Sequence, residues 1–204
     1  MGRIVVVNFV SIDGVVQSPL SPDEDRDGGF EHGGWIVPYA DGTVDAFLRT
    51  ATTGAGGMLL GRRSYDILAA AWSGADESEP AVAAMNRMPK FVVTSSPGRL
   101  GWSNSHAVVG ELAPAVVDVR DRATGDLLVL GSARLVRGLA ELDLVDEYRL
   151  LVFPVVLGTG KRMFDDQGRA AGFDLTDSVV TPSGVVILTY RRTADGTRRR
   201  QLSP

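Results

Sequence analysis

Three short segments of the chain place glycine, hydroxyl or guanidinium groups directly after an apolar run. They are Gly61-Arg62-Arg63-Ser64, Thr94-Ser95-Ser96 and Gly131-Ser132-Ala133-Arg134-Leu135. Glycine lets a ligand approach the backbone closely, and the free N–H groups at the start of a helix bind phosphate. The paired arginines add donors in a fork that matches phosphate oxygens. Together the segments predict a site for a phosphate-bearing cofactor. The alternative for residues 61–64 is an ordinary strand–helix turn with two solvated arginines.

The elements that must position these segments are strands of one sheet. Apolar, mostly valine-rich runs bounded by turn residues predict strands at 4–10, 57–60, 91–94, 106–109, 127–130, 148–157, 173–180 and 185–190. Apolar residues at helical spacing predict helices at 43–52, 63–71, 79–87 and 132–142. In the first of these helices Thr43 or Asp41 is available as a cap, and in the last Ser132 is.

The order of these elements predicts an α/β fold. Strands that alternate with helices indicate parallel pairing with helices on both faces of the sheet. The last two runs have only the turn Pro182-Ser183-Gly184 between them, which predicts a C-terminal antiparallel hairpin. In an open parallel sheet, ligands bind beyond the carboxyl ends of the strands. The three segments above are therefore expected to lie together on one rim, although neither GxGxxG nor GxxxxGK[ST] is present.

Length and composition narrow the class of protein. The 204 residues are expected to form one domain, 1–204, with a core over about 3–191 and a flexible tail over 192–204. The chain has no cysteine and only two histidines, which argues against disulfides, thiolate chemistry and a bound metal.

Charge and hydropathy exclude further classes of partner. A net charge of −4 argues against nucleic-acid binding, and Arg198 to Arg200 are expected to lie in a solvated tail. No apolar stretch approaches the ~20 residues of a membrane span. No signal-peptide pattern stands before the first strand. We therefore expect a cytoplasmic protein that acts on a small molecule.

One long segment, 11–42, has no regular pattern. A loop of this length inside a compact domain is usually functional or disordered. It carries acidic residues at 23–25 and the aromatic residues Phe30, Trp35 and Tyr39. The aromatic residues favour a lid or a pocket wall, and they make Trp35 and Tyr39 candidate substrate contacts.

Taken together, the motifs resemble the dihydrofolate-reductase superfamily. The resemblance rests on Ser11-Ile12-Asp13-Gly14 after the first strand and on the three segments above. The stretches at 144–150 and 154–164, the second with the sequence PVVLGTGKRMF, are similar to the C-terminal reductase domain of bacterial bifunctional riboflavin-biosynthesis proteins. Trp102-Ser103-Asn104-Ser105 resembles stand-alone members of that group. The similarity covers about residues 3–191 and implies the three-layer fold of dihydrofolate reductase.

The resemblance also implies NADPH as the cofactor. In the family, the positions of Arg62, Arg63 and Ser64 approach the cofactor phosphates. Ser95 and Ser96 would lie near the 2′-phosphate, and residues 131–135 along the pyrophosphate. Ile12, Asp13 and Gly14 would border the nicotinamide.

Asp45 is the candidate catalytic residue. It stands 16 positions before Gly61 (61 − 45 = 16), the spacing at which bacterial dihydrofolate reductases carry a carboxylate that binds the pteridine and assists its protonation. The alternative is a solvated first-turn aspartate that favours the helix dipole. Arg49 replaces an apolar residue of the folate enzymes, which speaks against dihydrofolate itself as the substrate.

The resulting expectation is an NADPH-dependent reductase, with a phosphoribosyl-aminouracil of riboflavin biosynthesis as the substrate that the resemblance implies. The alternatives are a non-catalytic NADP(H)-binding or regulatory protein, a pterin or dihydrofolate reductase, and a structural assembly protein. The long apolar run at 148–157 and the resemblance predict a homodimer.

Overall fold

The computed structural model describes residues 2–96, 98–164 and 168–193 and contains an eight-stranded sheet. The strands are β1 (Ile4–Ser11), β2 (Gly57–Gly61), β3 (Lys90–Val93), β4 (Ser105–Val108), β5 (Leu127–Leu130), β6 (Glu147–Phe153), β7 (Phe173–Val180) and β8 (Val186–Arg192). Their order across the sheet is β4-β3-β2-β5-β1-β6-β8-β7. The first six strands in that order are parallel, and β8 and β7 are antiparallel. The predicted mixed sheet with a C-terminal hairpin is confirmed.

Five α-helices lie in the described part of the chain: α1 (Gly42–Thr53), α2 (Arg62–Trp72), α3 (Pro80–Arg87), α4 (Leu112–Arg122) and α5 (Ala133–Glu141). Four of them were predicted and α4 was missed. Its apolar stripe includes Leu112, Val116 and Val119 at helical spacing. Pro114 stands inside the stripe, in the first turn, where proline is tolerated.

The helices cover both faces of the sheet. The alternate side chains of β5 show the division, because Leu128 packs on the side of α1 while Leu127 and Val129 pack against α4 and α5. Helices α2 and α3 lie on the same face as α1, since Met58 of β2 stands beside Leu128 and packs against α2 and α3. The result is the expected three-layer arrangement.

Two predicted boundaries differ from the structure. The strand predicted over 148–157 ends at Phe153, because Pro154 follows and proline cannot donate to a sheet ladder. Arg192, predicted as the first residue of the tail, is instead the last residue of β8 and pairs with Asp143. Residues 194–204, including the predicted basic tail, lie outside the described residues.

The start of α1 is fixed to the opposite end of the chain. Asp41 caps the helix, as one of the two expected candidates, by accepting from the backbone N–H groups of Thr43 and Val44 at 2.8 and 3.0 Å. Its other oxygen accepts from the hydroxyl of Ser183 at 2.6 Å, in the turn between β7 and β8. The Ser183 hydroxyl and the cap bonds hold the pKa of Asp41 well below its usual range. The helix that carries Asp45 is therefore anchored at its first turn.

A buried ammonium group lies at the opposite end of the sheet. Lys90 is fully buried, and its Nζ donates to the carbonyl oxygens of Asn86, Met88 and Ser103 at 2.8, 3.0 and 2.9 Å. The same atom lies 4.6 Å from the ring centre of Trp102. Burial lowers the pKa of Lys90 to about 8.

In the part of the chain that the structure describes, no helix is long and apolar enough to cross a membrane.

Candidate active site

The turns after β2 and β5 meet through one side chain. Ser132 accepts a hydrogen bond from the backbone N–H of Gly61 at 3.0 Å and donates its hydroxyl to Ser64 at 2.7 Å. A side chain on Gly61 would begin 2.6 Å from the Ser132 oxygen, so a larger residue would displace the Ser132 hydroxyl from its hydrogen bonds. Ser132 stands where an N-cap was expected, but its hydroxyl makes this cross-link and caps nothing.

The turn into α5 has an unusual backbone. Gly131 and Ser132 both have positive φ, 66° and 56°. Two consecutive residues of this kind are costly when one of them carries a side chain, and the Ser132 hydrogen bonds offset part of that cost. The first N–H groups of α5 have no acceptor within the helix, so the turn opens onto free donors.

Asn8 lies beside the same turn. It interrupts the apolar residues of β1 and is only 3% exposed. Its Oδ1 accepts from the backbone N–H of Gly131 at 2.9 Å, while its Nδ2 has no hydrogen-bond partner among the described residues. A buried amide donor without a partner is costly. Asn8 therefore fits a position that a polar ligand completes.

Both predicted phosphate-binding arginines form ion pairs within the chain. Arg62 pairs with Asp66, one helical turn further along α2, at 3.0 Å. Arg63 pairs with Asp25 at 2.5 Å and with Asp27 at 3.2 Å, both in the long segment after β1. Arg62 keeps a position beside the loop after β3, because its Nη1 lies 4.0 Å from where a side chain on Gly98 would begin. The two arginines thus have different surroundings.

The polar residues after β3 form a compact turn of their own. Thr94 Oγ1 accepts from the backbone N–H of Ser96 at 3.1 Å, and its backbone N–H donates to Val108 across 3.1 Å. Because β3 neighbours β2, this turn stands next to Arg62. Ser95 and Ser96 are both exposed.

Asp13 fixes the segment that follows β6. Its carboxylate accepts from the Ser11 hydroxyl at 2.7 Å and from the backbone N–H groups of Leu157 and Gly158 at 3.1 and 2.9 Å. Burial raises the pKa of Asp13, but these hydrogen bonds outweigh it and hold the pKa at about 2. Its neighbour Ile12 is 62% exposed at the same rim, and Gly14 has a φ of 85°.

The 11–42 segment is folded back onto the protein around Gln17. The buried Gln17 side chain donates to the carbonyl oxygens of Asp25 and Asp27 at 3.0 and 2.9 Å and accepts from the backbone N–H of Lys161 at 2.9 Å. The indole N–H of Trp35 donates to the Gln17 carbonyl at 2.8 Å. The segment contains two short 3-10 turns, Asp27–Gly29 and Val37–Tyr39.

The candidate catalytic and substrate residues lie on the face that α1 covers. Asp45 is exposed in the first turn of α1, and its side chain makes no hydrogen bond or ion pair to any described residue. Trp35 is buried and its ring meets that of Phe153 edge-on at 5.5 Å, while the half-buried Tyr39 meets the same ring at 6.2 Å. Trp35 and Tyr39 thus pack the C-terminal part of the 11–42 segment against the end of β6.

The predicted residues around Gly61, Ser64, Gly131 and Ser132 are therefore joined directly, while the side chain of Asp45 has no partner among the residues that the structure describes. Sequence reasoning missed Asn8, Gln17 and Lys161. Of these, Asn8 left a signal, since it is a lone amide in the run IVVVNFV. No group of three or more potential ligand side chains for a metal occurs within residues 2–96, 98–164 and 168–193.

The fold and its rim place the chain among α/β proteins of the dihydrofolate-reductase type. The model of the RibD C-terminal domain matches residues 3–187, and the chain belongs to that family. A Bacillus subtilis (strain 168) relative, the uncharacterized protein YyaP, is 24% identical over 195 residues, 92% of this chain and 94% of that protein.

Three solved structures share the fold. A putative riboflavin biosynthesis protein from Shewanella sp. PV-4 has a TM-score of 0.70 at 18% identity, covering 95% of this chain and 99% of that one. A pyrimidine reductase-like protein from Corynebacterium diphtheriae has a TM-score of 0.64 at 11% identity, with 95% and 93% covered. The dihydrofolate reductase from Enterococcus faecalis, complexed with NADP(H) and RAB-propyl, has a TM-score of 0.62 at 12% identity, with 94% and 97% covered.

Proposed function

We propose that the protein is an NADPH-dependent reductase. The observation that carries the proposal is the joined rim at the ends of β2 and β5, where Ser132 links Gly61 to Ser64 and Asn8 keeps one buried amide donor unpaired. The free N–H groups of α5 add donors for a diphosphate. Membership of the RibD C-terminal domain family and the NADP(H) complex of a structural neighbour support the same cofactor.

Residues of three segments would hold NADPH. Gly131 to Leu135 and the turn Gly61 to Ser64 offer donors for the diphosphate. Arg62, with Ser95 and Ser96 of the neighbouring turn, offers a cation and hydroxyls for the 2′-phosphate. Ile12 to Gly14 border the place of the nicotinamide. When bound, NADPH supplies a hydride from its C4 atom, while the protein binds it, orients it and excludes water.

The substrate that we propose is a small polar heterocycle, and the family makes 5-amino-6-(5-phosphoribosylamino)uracil the first candidate. Trp35 and Tyr39 would contact its ring, and the unpartnered carboxylate of Asp45 would bind its polar edge and handle the proton that accompanies hydride transfer. Arg49 follows Asp45 by one helical turn on the exposed side of α1. A cation at this position differs from the apolar contact that a pterin needs.

The proposal includes a homodimer formed by a second copy of this chain. On the α4 and α5 side, β6 to β8 leave a groove of about 490 Å³ lined in part by Tyr148 and Tyr190. Phe164 borders the groove, and Leu175 stands beside Tyr190 and is 53% exposed. Exposed apolar side chains next to an open groove mark interaction surfaces. Light scattering of the wild type and of L175E would show a dimer that the substitution weakens.

The test of function is binding followed by turnover. NADPH should quench protein fluorescence with higher affinity than NADH, and the complex should then oxidise NADPH in the presence of a phosphoribosyl-aminouracil, a pterin or a carbonyl compound. Binding without oxidation for any of them would favour a non-catalytic NADP(H)-binding protein. Absence of binding would contradict the proposal.

A further inference from the structure

Two carboxylates and two cations form a bridge between the 11–42 segment, the start of α2 and the segment after β6. Arg63 lies 2.5 Å from Asp25 and 3.2 Å from Asp27, and Lys161 lies 2.9 and 2.8 Å from the same two residues. Each aspartate therefore contacts both cations. The four charges sum to zero, so the bridge is complete without an outside ion.

The bridge crosses the rim of the candidate site. Arg63 stands at the start of α2, directly after β2, and Lys161 accepts from the backbone N–H of Val16 just beyond the end of β1. In the sheet, β5 lies between β2 and β1. The ion pairs thus join the end of β2 to the segment beyond β1, the two strands on either side of β5. A dinucleotide that binds along this rim would therefore meet the bridge at Arg63.

Two kinds of contact hold the bridge. Gln17 binds the carbonyl oxygens of Asp25 and Asp27, so it positions their backbone whatever the charge of the side chains. The carboxylate of Asp25 is only 11% exposed, while the guanidinium of Arg63 is 56% exposed. A carboxylate this buried depends on its cations, whereas Arg63 remains open to a competing anion from solvent.

We propose that Asp25 and Asp27 act as an internal anion that occupies Arg63 and Lys161 until the diphosphate of an incoming dinucleotide competes for Arg63. The inference rests on the proposed binding of NADPH. The diphosphate of a dinucleotide carries two negative charges, as Asp25 and Asp27 do together, and phosphate binds arginine through two parallel hydrogen bonds. Opening the bridge frees residues 18–34 to move, so entry of the cofactor is coupled to the position of this segment.

The first test needs no cofactor. Amide hydrogen exchange over residues 17–35 is compared in the wild type, in D25N/D27N and in D23N. Asp23 is the control, because it is a carboxylate of the same segment whose one ion pair among the described residues is with the exposed Arg26. D23N removes one negative charge and D25N/D27N removes two, so the comparison is made per charge. We expect exchange to rise about tenfold in D25N/D27N, as for loss of a local closing interaction, and to stay unchanged in D23N. Inorganic pyrophosphate should raise exchange in the wild type more than sodium chloride of equal ionic strength.

The second test measures NADPH association by stopped-flow fluorescence. Removal of the bridge should raise the association rate constant about threefold or more, while D23N reports the part that comes from general charge attraction. Lys161→Gln breaks the bridge from its other side and gives a second variant for the exchange measurement if D25N/D27N folds poorly. Because it leaves both aspartates on Arg63, it should not speed NADPH association.

The outcomes separate the two proposals. Unchanged exchange in D25N/D27N and K161Q, or an equal rise in D23N, would overturn the bridge. If exchange rises in the bridge variants as expected but neither the wild type nor any variant binds NADPH, the bridge stands and the proposed cofactor is overturned, together with the competition by its diphosphate. Faster exchange in both bridge variants, together with faster NADPH association in D25N/D27N and neither effect in D23N, would support the inference.

Discussion

The hydroxyl of Ser132 donates to the hydroxyl of Ser64 across 2.7 Å, which ties the turn after β5 to the first turn of α2. The same Ser132 oxygen accepts from the backbone of Gly61. Two strand ends that are 71 residues apart in the chain therefore share one hydroxyl group. The spacing of the candidate phosphate-binding donors depends on it.

Ser132→Ala should lower both stability and NADPH affinity. It removes two partly buried hydrogen bonds, each worth about 1 kcal/mol, and leaves the positive φ of residue 132 in place. Ser132→Gly loses the same bonds but relieves about 1 kcal/mol of backbone cost. Urea unfolding should therefore rank the wild type first, the glycine variant second and the alanine variant last. An alanine variant as stable as the wild type would contradict the structural role of the link.

Arg62→Ala should weaken NADPH binding by about tenfold or more, the effect of a lost charged hydrogen bond, and change NADH binding little. Arg63→Ala should change the ratio of NADPH affinity to NADH affinity less, because Arg63 already pairs with Asp25 and Asp27. Asp66→Asn is the complementary variant, since it frees Arg62 from its partner on α2 and should strengthen NADPH binding. Calorimetric titrations measure all three. Equal losses for both cofactors in the Arg62 variant would remove the account of cofactor choice.

Asp13 should make stability depend on pH in the acid range. Its pKa is held at about 2 in the folded protein, against 3.8 ordinarily, so the unfolded chain binds more protons between these values. The contribution is complete above about pH 4 and is lost as the pH falls through 2, about 1 to 2 kcal/mol in all. Asp13→Asn should flatten this dependence in urea unfolding. Parallel curves for the two proteins from pH 2 to 5 would contradict it.

Lys90 should make the unfolding free energy depend on pH in the alkaline range. Its pKa falls from 10.5 to about 8 on folding, so between these values the unfolded chain retains a proton that the folded protein has lost. The unfolding free energy therefore rises with pH across this window. Lys90→Met should be less stable throughout, by about 1 to 3 kcal/mol for the carbonyl oxygens left without a donor. Its deficit should grow between pH 8 and 10.5.

Asp45→Asn should reduce kcat about 100-fold or more, as loss of a proton-transfer group does, with NADPH affinity preserved. Asp121→Asn on α4, on the other face of the sheet, is the control and should keep full activity. The measurement is NADPH oxidation with the substrate found in the panel. An Asp45 variant with normal kcat would assign the residue to the helix dipole, the alternative that its position in the first turn allows.

Much of the fold follows from patterns along the chain. Valine-rich runs between turn residues located all eight strands, and the lack of a helix before 185–190 indicated the terminal hairpin. The missed helix α4 has an apolar stripe at helical spacing that was not identified, and Pro114 in its first turn is compatible with a helix. Strand β6 was predicted too long because Val155 and Leu157, which follow it, are also apolar. These two residues pack against the face of the sheet that α1 covers, beyond the end of the strand.

The site was predictable only in part. Glycine and hydroxyl residues after a strand have a local signature, so Gly61, Ser64 and the turn at 131–132 could be found. The ion pairs of Arg63 have none, because Asp25, Asp27 and Lys161 come together only after the 11–42 segment folds back. Sequence spacing carries no record of contacts that span 38 or 136 residues.

The position of β1 in the sheet bears on how the chain reaches its fold. The first strand lies at the centre, where Ile4 pairs with Leu127 and Val5 pairs with Glu147. Neither neighbour exists until most of the chain has left the ribosome, so this largely buried strand must wait unpaired during synthesis. Contacts of such long sequence separation slow folding and expose apolar segments to aggregation. The protein should therefore depend on chaperones or slow synthesis more than a helical protein of equal length.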